Sequence, residues 1–178
     1  MRWVEKLLDL IEDGSDLLEL GCGGGSPATE RLAERHQLLG VDISPRQVER
    51  ARERVPHASF QCADATEVDL EPGSFDAVVS LFMLGHVPRA EQAPLLGSIA
   101  SWLRKGGYLL ATMGTADADD EVDDDWLGAP MLFASFDEAV DRRLLADAGF
   151  ALIEASVIPV EEPGHGVVSF MWILARKS

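Results

Sequence analysis

The chain has 178 residues, a formal net charge of −16 and 47% hydrophobic residues. A chain of this length buries about 70% of its unfolded surface, which supplies a full core and argues against disorder. The negative charge argues against nucleic acid and anionic lipid as partners, because both require a basic surface. We therefore expect a folded protein that acts on neutral or cationic small molecules.

Targeting and redox features predict a soluble cytoplasmic protein. Cys22 and Cys62 lack metal-ligand spacing and are too few for a disulfide framework. No apolar run approaches the roughly 20 residues of a membrane span, and the first residues lack a signal-peptide pattern.

Strands and helices alternate through most of the chain, as judged from hydrophobic periodicity and turn residues. In chain order, the predicted elements are a helix over 3–11, a strand over 17–20, a helix beginning at 27, a strand over 37–41, a helix beginning at 45, strands over 59–62 and 75–81, a helix ending at 106–107, a strand over 108–113, a helix ending at 149, and strands over 151–158 and 167–175.

Two helix starts are marked by local sequence. Ser26-Pro27 predicts an N-cap followed by proline at the first helical position. Ser44-Pro45 repeats that signal, and Gln47 is expected to close a capping box with Ser44.

The alternation predicts an α/β fold with a doubly wound, mostly parallel seven-stranded sheet and helices on both faces. A Pro-Gly loop over 161–164 predicts that the last two strands form a hairpin, which adds one antiparallel strand. The acidic stretch over 117–125 interrupts the alternation and is expected to be a solvated loop. We expect a single domain over 1–178.

A glycine-rich turn is the most informative feature of the sequence. Four glycines occur within residues 21–25, directly after a predicted strand and before a predicted helix. Glycine permits sharp turns and close contact between backbone and ligand. Asp42 follows about twenty residues later, where a nucleotide-binding βαβ unit places a ribose-binding carboxylate. The pattern predicts a site for an adenosine-containing cofactor.

The details of this turn disfavour phosphate ligands. A dinucleotide fingerprint requires glycine at the sixth position, which is Ser26 here, and no lysine completes a phosphate-binding loop. Glu19 precedes the glycines with a spacing of acid-x-Gly-x-Gly-x-Gly. A carboxylate at the turn would repel phosphate and suits a cationic ligand.

Five segments of the chain, in order, resemble the motifs of class I S-adenosylmethionine-dependent methyltransferases of the small-molecule type. They are residues 19–25, 40–44, 62–66, 75–80 with 84–88, and 103–110. The resemblance spans nearly the whole chain and implies a Rossmann-like fold. It also implies S-adenosylmethionine as cofactor, S-adenosylhomocysteine as product and methyl transfer to a small-molecule acceptor by direct displacement.

The resemblance implies a set of cofactor-binding residues. Gly21, Cys22 and Gly23 would contact the methionine portion, and Glu19 would help to hold its amino group. Asp42 would accept the ribose hydroxyls. The remaining members are Ile43 after Asp42, Asp64 for the adenine amino group, Ala65 for the adenine ring, and Leu81 or Phe82 for a carbonyl beneath the cofactor.

Displacement at sulfonium requires mainly alignment and a dry pocket, with a base only where the attacking atom must lose a proton. His86, after the fourth strand, is the candidate base; the alternative is that it only packs or hydrogen-bonds in its loop. An apolar or aromatic acceptor pocket is predicted from Trp126, Met131, Phe133 and Phe136, and the alternative is ordinary core.

The sequence also allows other interpretations of ligand and function. The acidic stretch over 117–125 lacks a calcium-loop pattern, so we expect no metal. Many small-molecule members carry a further helix ahead of the first helix seen here, so we expect an open cofactor cleft or one covered by a partner subunit, for which a homodimer is one arrangement. The alternative functions are a non-catalytic S-adenosylmethionine-binding module or partner subunit, and a nicotinamide-dependent reductase.

Overall fold

The computed structural model describes residues 1–126, 128–162 and 166–178. In chain order the elements are α1 (Arg2–Leu8), β1 (Asp16–Leu20), α2 (Pro27–Ala33), β2 (Gln37–Asp42), α3 (Pro45–Arg54), β3 (Ser59–Cys62), β4 (Phe75–Ser80), a 3₁₀ turn (Leu84–His86), α4 (Arg89–Trp102), β5 (Leu103–Met113), β6 (Ala118–Trp126), β7 (Ala129–Ser135), α5 (Glu138–Asp147), β8 (Phe150–Glu162) and β9 (Gly166–Lys177).

Seven strands form one sheet in the order β3-β2-β1-β4-β5-β9-β8. The neighbouring strands from β3 to β5 are parallel, and β9 pairs antiparallel with both β5 and β8. The predicted mostly parallel sheet with one antiparallel strand from the C-terminal hairpin is therefore confirmed. Of the Pro-Gly loop predicted over 161–164, residues 161 and 162 belong to β8 and the other two lie outside the described residues.

Both faces of the sheet are buried, which explains why its central strands read as continuous apolar runs. Successive residues of a strand point to opposite faces, so Leu17 joins one core and Leu18 the other. Helices α1, α2 and α3 cover the first face through Trp3, Leu7, Leu32, Val48 and Ala51. Helices α4 and α5 cover the second through Leu95, Leu96, Ile99 and Leu145. Within the described ranges, no helix has the length and apolar character required to cross a membrane.

The helix starts differ in how completely they match the sequence signals. The Ser26 hydroxyl accepts from Thr29 N at 3.2 Å, and Thr29 Oγ1 accepts from Ser26 N at 3.0 Å, so the N-cap is confirmed. The Ser44 hydroxyl accepts from Gln47 N at 3.4 Å. The capping box predicted there is wrong, because Ser44 N donates to Asp42 Oδ1 at 2.9 Å instead of to the Gln47 side chain.

Two segments differ from the sequence prediction. Helix α4 ends at Trp102, and β5 begins at Leu103 rather than after the two glycines. Leu103 pairs with Phe75, and a register shift then restores pairing between Ala77 and Tyr108. The acidic stretch is a strand rather than a loop: β6 pairs antiparallel with β7 to form a separate hairpin.

Candidate functional site

The glycine turn, residues 21–25, folds back over the end of β2. Gly21 N and Cys22 N donate to the Val41 carbonyl at 2.8 and 3.2 Å. Gly21, Gly23 and Gly25 all have positive φ, with values of 71°, 55° and 76°. This left-handed backbone is costly for other residues, so the spacing of the three glycines follows from the shape of the turn.

Asp42 lies at the end of β2 with its carboxylate against the glycine turn. Its Oδ2 accepts from Gly23 N at 2.8 Å, and its Oδ1 accepts from Ser44 N at 2.9 Å. Because each carboxylate oxygen offers two lone pairs, both oxygens keep a position for a further donor. The geometry suits a ligand that presents two hydroxyl groups.

Glu19 is buried beneath the glycine turn, with 4% of its surface exposed. Its Oε1 accepts from Thr29 Oγ1 at 3.1 Å, while Oε2 has no hydrogen-bond partner among the described residues. Burial raises the pKa of this carboxyl to about 7; the Thr29 hydrogen bond opposes the shift and the Asp42 charge adds to it. An orphaned buried carboxylate oxygen fits a cationic group on a ligand.

Cys22 lies beside these carboxylates and is buried. Burial, with the charges of Glu19 and Asp42, raises the pKa of its thiol to about 12. The thiol therefore stays protonated at neutral pH, so its side chain supplies no thiolate nucleophile.

The end of β3 lies beside the end of β2, because Asp42 and Cys62 are paired and Ala63 N donates to the Asp42 carbonyl at 3.1 Å. Asp64 Oδ1 accepts from both the backbone N and the hydroxyl of Thr66, at 2.8 and 2.7 Å. Ile43, which follows Asp42, is 67% exposed, and Ala65 is half-buried. The predicted adenine-binding and ribose-binding residues therefore share one edge of the sheet.

The loop after β4 lies between the glycine turn and a second site. Phe82 has a φ of 56° and is the one non-glycine residue with positive φ among those described. Its N–H donates to Thr112 Oγ1 on β5 at 2.6 Å, which helps to hold this conformation. The next residue, Met83, packs its side chain against Gly21. Leu81 is half-buried against the core formed with α1, α2 and α3.

A cavity of about 620 Å³, here called the hairpin cavity, opens beside Phe82. It is bounded by the ends of β5 and β9, the 3₁₀ turn and the β6–β7 hairpin. The aromatic residues on its wall are Phe82, Trp126, Phe133 and Phe170; the titratable residues are His86, Glu121 and Asp123. No lysine or arginine lines it within the described residues.

His86 is fixed in the wall of this cavity. Its Nδ1 lies 2.8 Å from the Leu132 carbonyl oxygen. Its ring packs edge-to-face against the Phe133 ring, with the two ring centres 5.0 Å apart. Since a carbonyl oxygen only accepts, Nδ1 carries the hydrogen and the neutral ring has its lone pair on Nε2. The Trp126 ring also packs edge-to-face against Phe133, with the ring centres 4.9 Å apart.

The predicted site residues therefore fall into two neighbouring groups. Glu19, the glycine turn and Asp42 surround one site, and His86, Trp126 and Phe133 line the other together with Phe82. Met131 is half-buried opposite Asp123 and is not among the residues that line the cavity. Phe136 does not line it either, because its ring packs against the Arg89 guanidinium.

Sequence reasoning missed Thr29, which contacts Glu19, and it missed Glu121 and Asp123 in the cavity wall. The alternate spacing of these two acids ahead of an aromatic-rich segment was the available signal. Among the described residues, no group of three or more His, Cys, Asp or Glu is arranged to hold a metal ion.

A family model described as a methyltransferase domain matches residues 17–107, which is half of the chain. The chain belongs to this methyltransferase-domain family. The 27-O-demethylrifamycin SV methyltransferase of Amycolatopsis mediterranei is 38% identical over 107 residues, covering 56% of this chain and 38% of that protein. The ubiquinone biosynthesis O-methyltransferase of Idiomarina loihiensis is 38% identical over 102 residues, covering 54% of this chain and 41% of that protein. The chain thus spans less than half the length of these curated relatives.

Solved structures share the fold over almost the whole chain. A SAM-dependent methyltransferase from Methanosarcina mazei has a TM-score of 0.83 at 18% identity, covering 97% of this chain and 96% of that one. The 1,6-didemethyltoxoflavin-N1-methyltransferase of Burkholderia thailandensis, solved with 1,6-didemethyltoxoflavin and S-adenosylhomocysteine bound, has a TM-score of 0.76 at 19% identity. The superposition covers 99% of this chain and 77% of the Burkholderia protein.

Proposed function

We propose that the chain, acting as one methyltransferase domain over 1–178, transfers a methyl group from S-adenosylmethionine to a small-molecule acceptor. One observation carries the proposal: consecutive residues of the β4 loop contact the two sites. Met83 packs against Gly21, and Phe82 lines the hairpin cavity. Direct transfer between two ligands requires adjoining sites, and this loop is where they adjoin. Family membership and the methyltransferase names of the relatives support the same reaction.

The residues of the glycine turn fit the cofactor in charge and hydrogen bonding. Glu19, with its orphaned Oε2, would hold the amino group, and Asp42 would accept the ribose hydroxyls. Asp64, Ala65 and Ile43 would surround the adenine. When bound, S-adenosylmethionine supplies an electrophilic methyl group on a sulfonium centre.

The protein contributes alignment and exclusion of water. Orientation of two reactants supplies roughly 7–11 kcal/mol toward such a reaction, without an acid for the leaving group. The aromatic wall of the hairpin cavity would keep the acceptor dry and fix its plane. The chemistry required of side chains is then limited to removing a proton from the attacking atom.

His86 is the residue we propose for that step. Its Nδ1 is engaged by the Leu132 carbonyl, so Nε2 is the nitrogen able to take a proton from a bound acceptor. The contact with Phe133 holds the ring in one orientation. This division of roles between two ring nitrogens is what a general base requires.

The setting proposed for this reaction is the cytoplasm. The two cysteines are both free, with Cys22 buried and Cys62 exposed, as expected in a reducing compartment. The net charge of −16 disfavours nucleic acid as the methyl acceptor. We also propose a homodimer as an arrangement that would cover the cofactor site.

Calorimetric titration with S-adenosylmethionine, S-adenosylhomocysteine and NADH tests the cofactor. We expect the first two to bind and NADH not to. Asp42→Asn should weaken S-adenosylhomocysteine binding about tenfold or more, because the ribose hydroxyls lose a charged acceptor. Asp69→Asn, an exposed carboxylate in the loop after β3, is the matched control and should leave affinity unchanged. Binding of NADH alone would contradict the proposal.

Turnover is tested with methyl-labelled S-adenosylmethionine and a panel of small acceptors. Transfer of the labelled methyl group to an acceptor would support catalysis. Loss of that transfer in His86→Phe would support a role of His86 in the reaction. Tight cofactor binding without transfer to any acceptor would instead support a non-catalytic binding module.

A further inference from the structure

Five of the seven acidic residues in the 117–125 segment fall into two sets with different surroundings. Asp117 and Asp119 pair with the Arg89 guanidinium at 2.6 and 3.0 Å. Asp120 accepts from Arg89 N at 2.9 Å. These carboxylates fasten the root of the hairpin to α4, so their presence has a structural explanation.

Glu121 and Asp123 form the second set and lie on the wall of the hairpin cavity. They are alternate residues of β6 and therefore share one face of the strand, while Val122 between them is 54% exposed. Glu121 is paired with Phe133, so carboxylate and ring project from the same face of the hairpin. Within the described chain, neither carboxylate pairs with a cationic side chain; Asp123 Oδ1 accepts only from Asp125 N, at 2.9 Å.

Two hydroxyls of the cavity wall direct their hydrogens into the wall itself. The Thr115 hydroxyl donates to the Ser169 carbonyl at 3.2 Å, and the Ser135 hydroxyl donates to the Ala116 carbonyl at 2.6 Å. His86 Nδ1 is engaged by Leu132 O. The two carboxylates and the second nitrogen of His86 therefore remain as acceptors for a ligand.

We propose that the hairpin cavity takes an aromatic molecule that carries a protonated amine, with the ring among Trp126 and Phe133 and the amine at Glu121 and Asp123. This inference rests on the proposed function, since it names the class of acceptor. The amine is the group that the cavity recognises. The cavity selects against carboxylates and phosphates of the same shape.

Two physical effects favour this class over its neutral and anionic analogues. Aromatic faces attract a cation through the ring quadrupole, and a carboxylate adds a charge-assisted hydrogen bond. An anionic ligand would place like charges together in a cavity without a cationic side chain among its described residues. Complementarity and repulsion thus act in the same direction, which is how specificity between similar ligands arises.

Three indole compounds with similar side chains test the proposal: tryptamine (cationic), tryptophol (neutral) and indole-3-acetate (anionic). Their affinities are measured by calorimetry with the free protein and with protein saturated in S-adenosylhomocysteine. We expect tryptamine to bind about tenfold more tightly than tryptophol, since one charge-assisted contact is worth about that factor, and indole-3-acetate to bind more weakly still.

Variants then assign the preference to the two carboxylates. Glu121→Gln with Asp123→Asn should bring tryptamine to the affinity of tryptophol and leave tryptophol unchanged. Asp124→Asn is the matched control, because Asp124 is exposed on the same strand and does not line the cavity. The control should retain the full preference for tryptamine.

Several outcomes would overturn the proposal. It would be overturned if indole-3-acetate bound as tightly as tryptamine, or if the double variant kept the full preference for tryptamine. It would also be overturned if protein that binds S-adenosylhomocysteine bound none of the three probes. If the double variant weakened S-adenosylmethionine but not S-adenosylhomocysteine, the carboxylates would serve the sulfonium instead. Failure of S-adenosylhomocysteine to bind would contradict the proposed function, while the probe series on the free protein would still report on the cavity.

Discussion

The side chain of Met83 occupies the space that a β-carbon on Gly21 would require. A β-carbon built on Gly21 would lie 2.6 Å from both Cβ and Cγ of Met83. Gly21 also has a φ of 71°, so two independent constraints require glycine at this position. Because Met83 follows Phe82, the contact joins the glycine turn to the wall of the hairpin cavity.

Gly21→Ala should therefore damage both sites. We expect a loss of about 2–5 kcal/mol in the free energy of unfolding, from left-handed backbone strain together with overpacking against Met83. Gly97→Ala is the matched control, because Gly97 lies in α4 with no atom near its would-be β-carbon. The control should gain about 0.5–1 kcal/mol, since alanine is the better helix former. Urea unfolding measures both, and equal effects would show that the Met83 contact is unimportant.

The sequence was sufficient to predict the sheet because its strands are buried on both sides. Leu17, Leu18 and Leu20 are all buried, as in a strand covered on both faces. The serines before α2 and α3 mark the starts of those two helices locally. The glycine turn and Asp42 were also predictable. The positive φ values of the glycines and the contact of Asp42 with the turn follow from backbone conformation and from a spacing that a βαβ unit fixes.

The β6–β7 hairpin could not be predicted in this way. Six of the nine residues in β6 are acidic, a composition that disfavours strands. The strand forms because distant groups support it: β7 supplies the pairing, and Arg89, 28–31 residues away, binds its carboxylates. The cavity wall depends on the same pairing, since only the register of Glu121 with Phe133 brings a carboxylate beside the rings.

Cofactor affinity should depend on pH through Glu19. Its pKa of about 7 means that the carboxyl is largely protonated at about pH 5.5 and must lose that proton to pair with a cationic amine. Affinity for S-adenosylhomocysteine should therefore rise about tenfold between about pH 5.5 and about pH 7.5. Glu19→Gln should remove the dependence, and Glu49→Gln, an exposed residue of α3, should preserve it. Calorimetry in two buffers would also detect the released proton.

Asp141 should make stability fall as pH rises. The side chain is buried in α5, and neither of its oxygens has a hydrogen-bond partner among the described residues. Burial and the charge of Asp137 raise the pKa of its carboxyl from 3.8 to about 7, with Arg89 opposing the shift. Between pH 3.8 and about pH 7 the folded state binds more protons than the unfolded chain. The free energy of unfolding that the protonated carboxyl contributes is therefore lost progressively as pH rises, and it is gone above the folded pKa.

Asp141→Asn tests this directly, because it keeps the shape and removes the charge. We expect the variant to be more stable than the parent by about 2 kcal/mol at about pH 8, with the difference vanishing near pH 4. Asp147→Asn, an exposed position of the same helix, should show no such trend. Thermal unfolding across the pH range measures the effect, and a parallel pair of curves for parent and Asp141→Asn would refute it.

Arg89 should hold the hairpin in place without contributing to the cofactor site. Its guanidinium lies 4.1 Å from the centre of the Phe136 ring and binds Asp117 and Asp119, so one side chain links α4, the root of β6 and the segment before α5. Arg89→Met keeps the apolar stem and removes the charge, which leaves these carboxylates to repel one another. We expect amide hydrogens of β6 to exchange about tenfold faster, since local opening becomes easier.

Ligand binding in Arg89→Met should separate the two sites. Tryptamine affinity should fall because Glu121 and Asp123 lose their fixed positions, whereas S-adenosylhomocysteine affinity should be unchanged. Arg142→Met removes an exposed arginine that pairs with Glu138 within α5, and it should alter neither affinity nor exchange. Equal losses of both ligands in Arg89→Met would mean that the hairpin and the glycine turn form one cooperative unit rather than two adjoining sites.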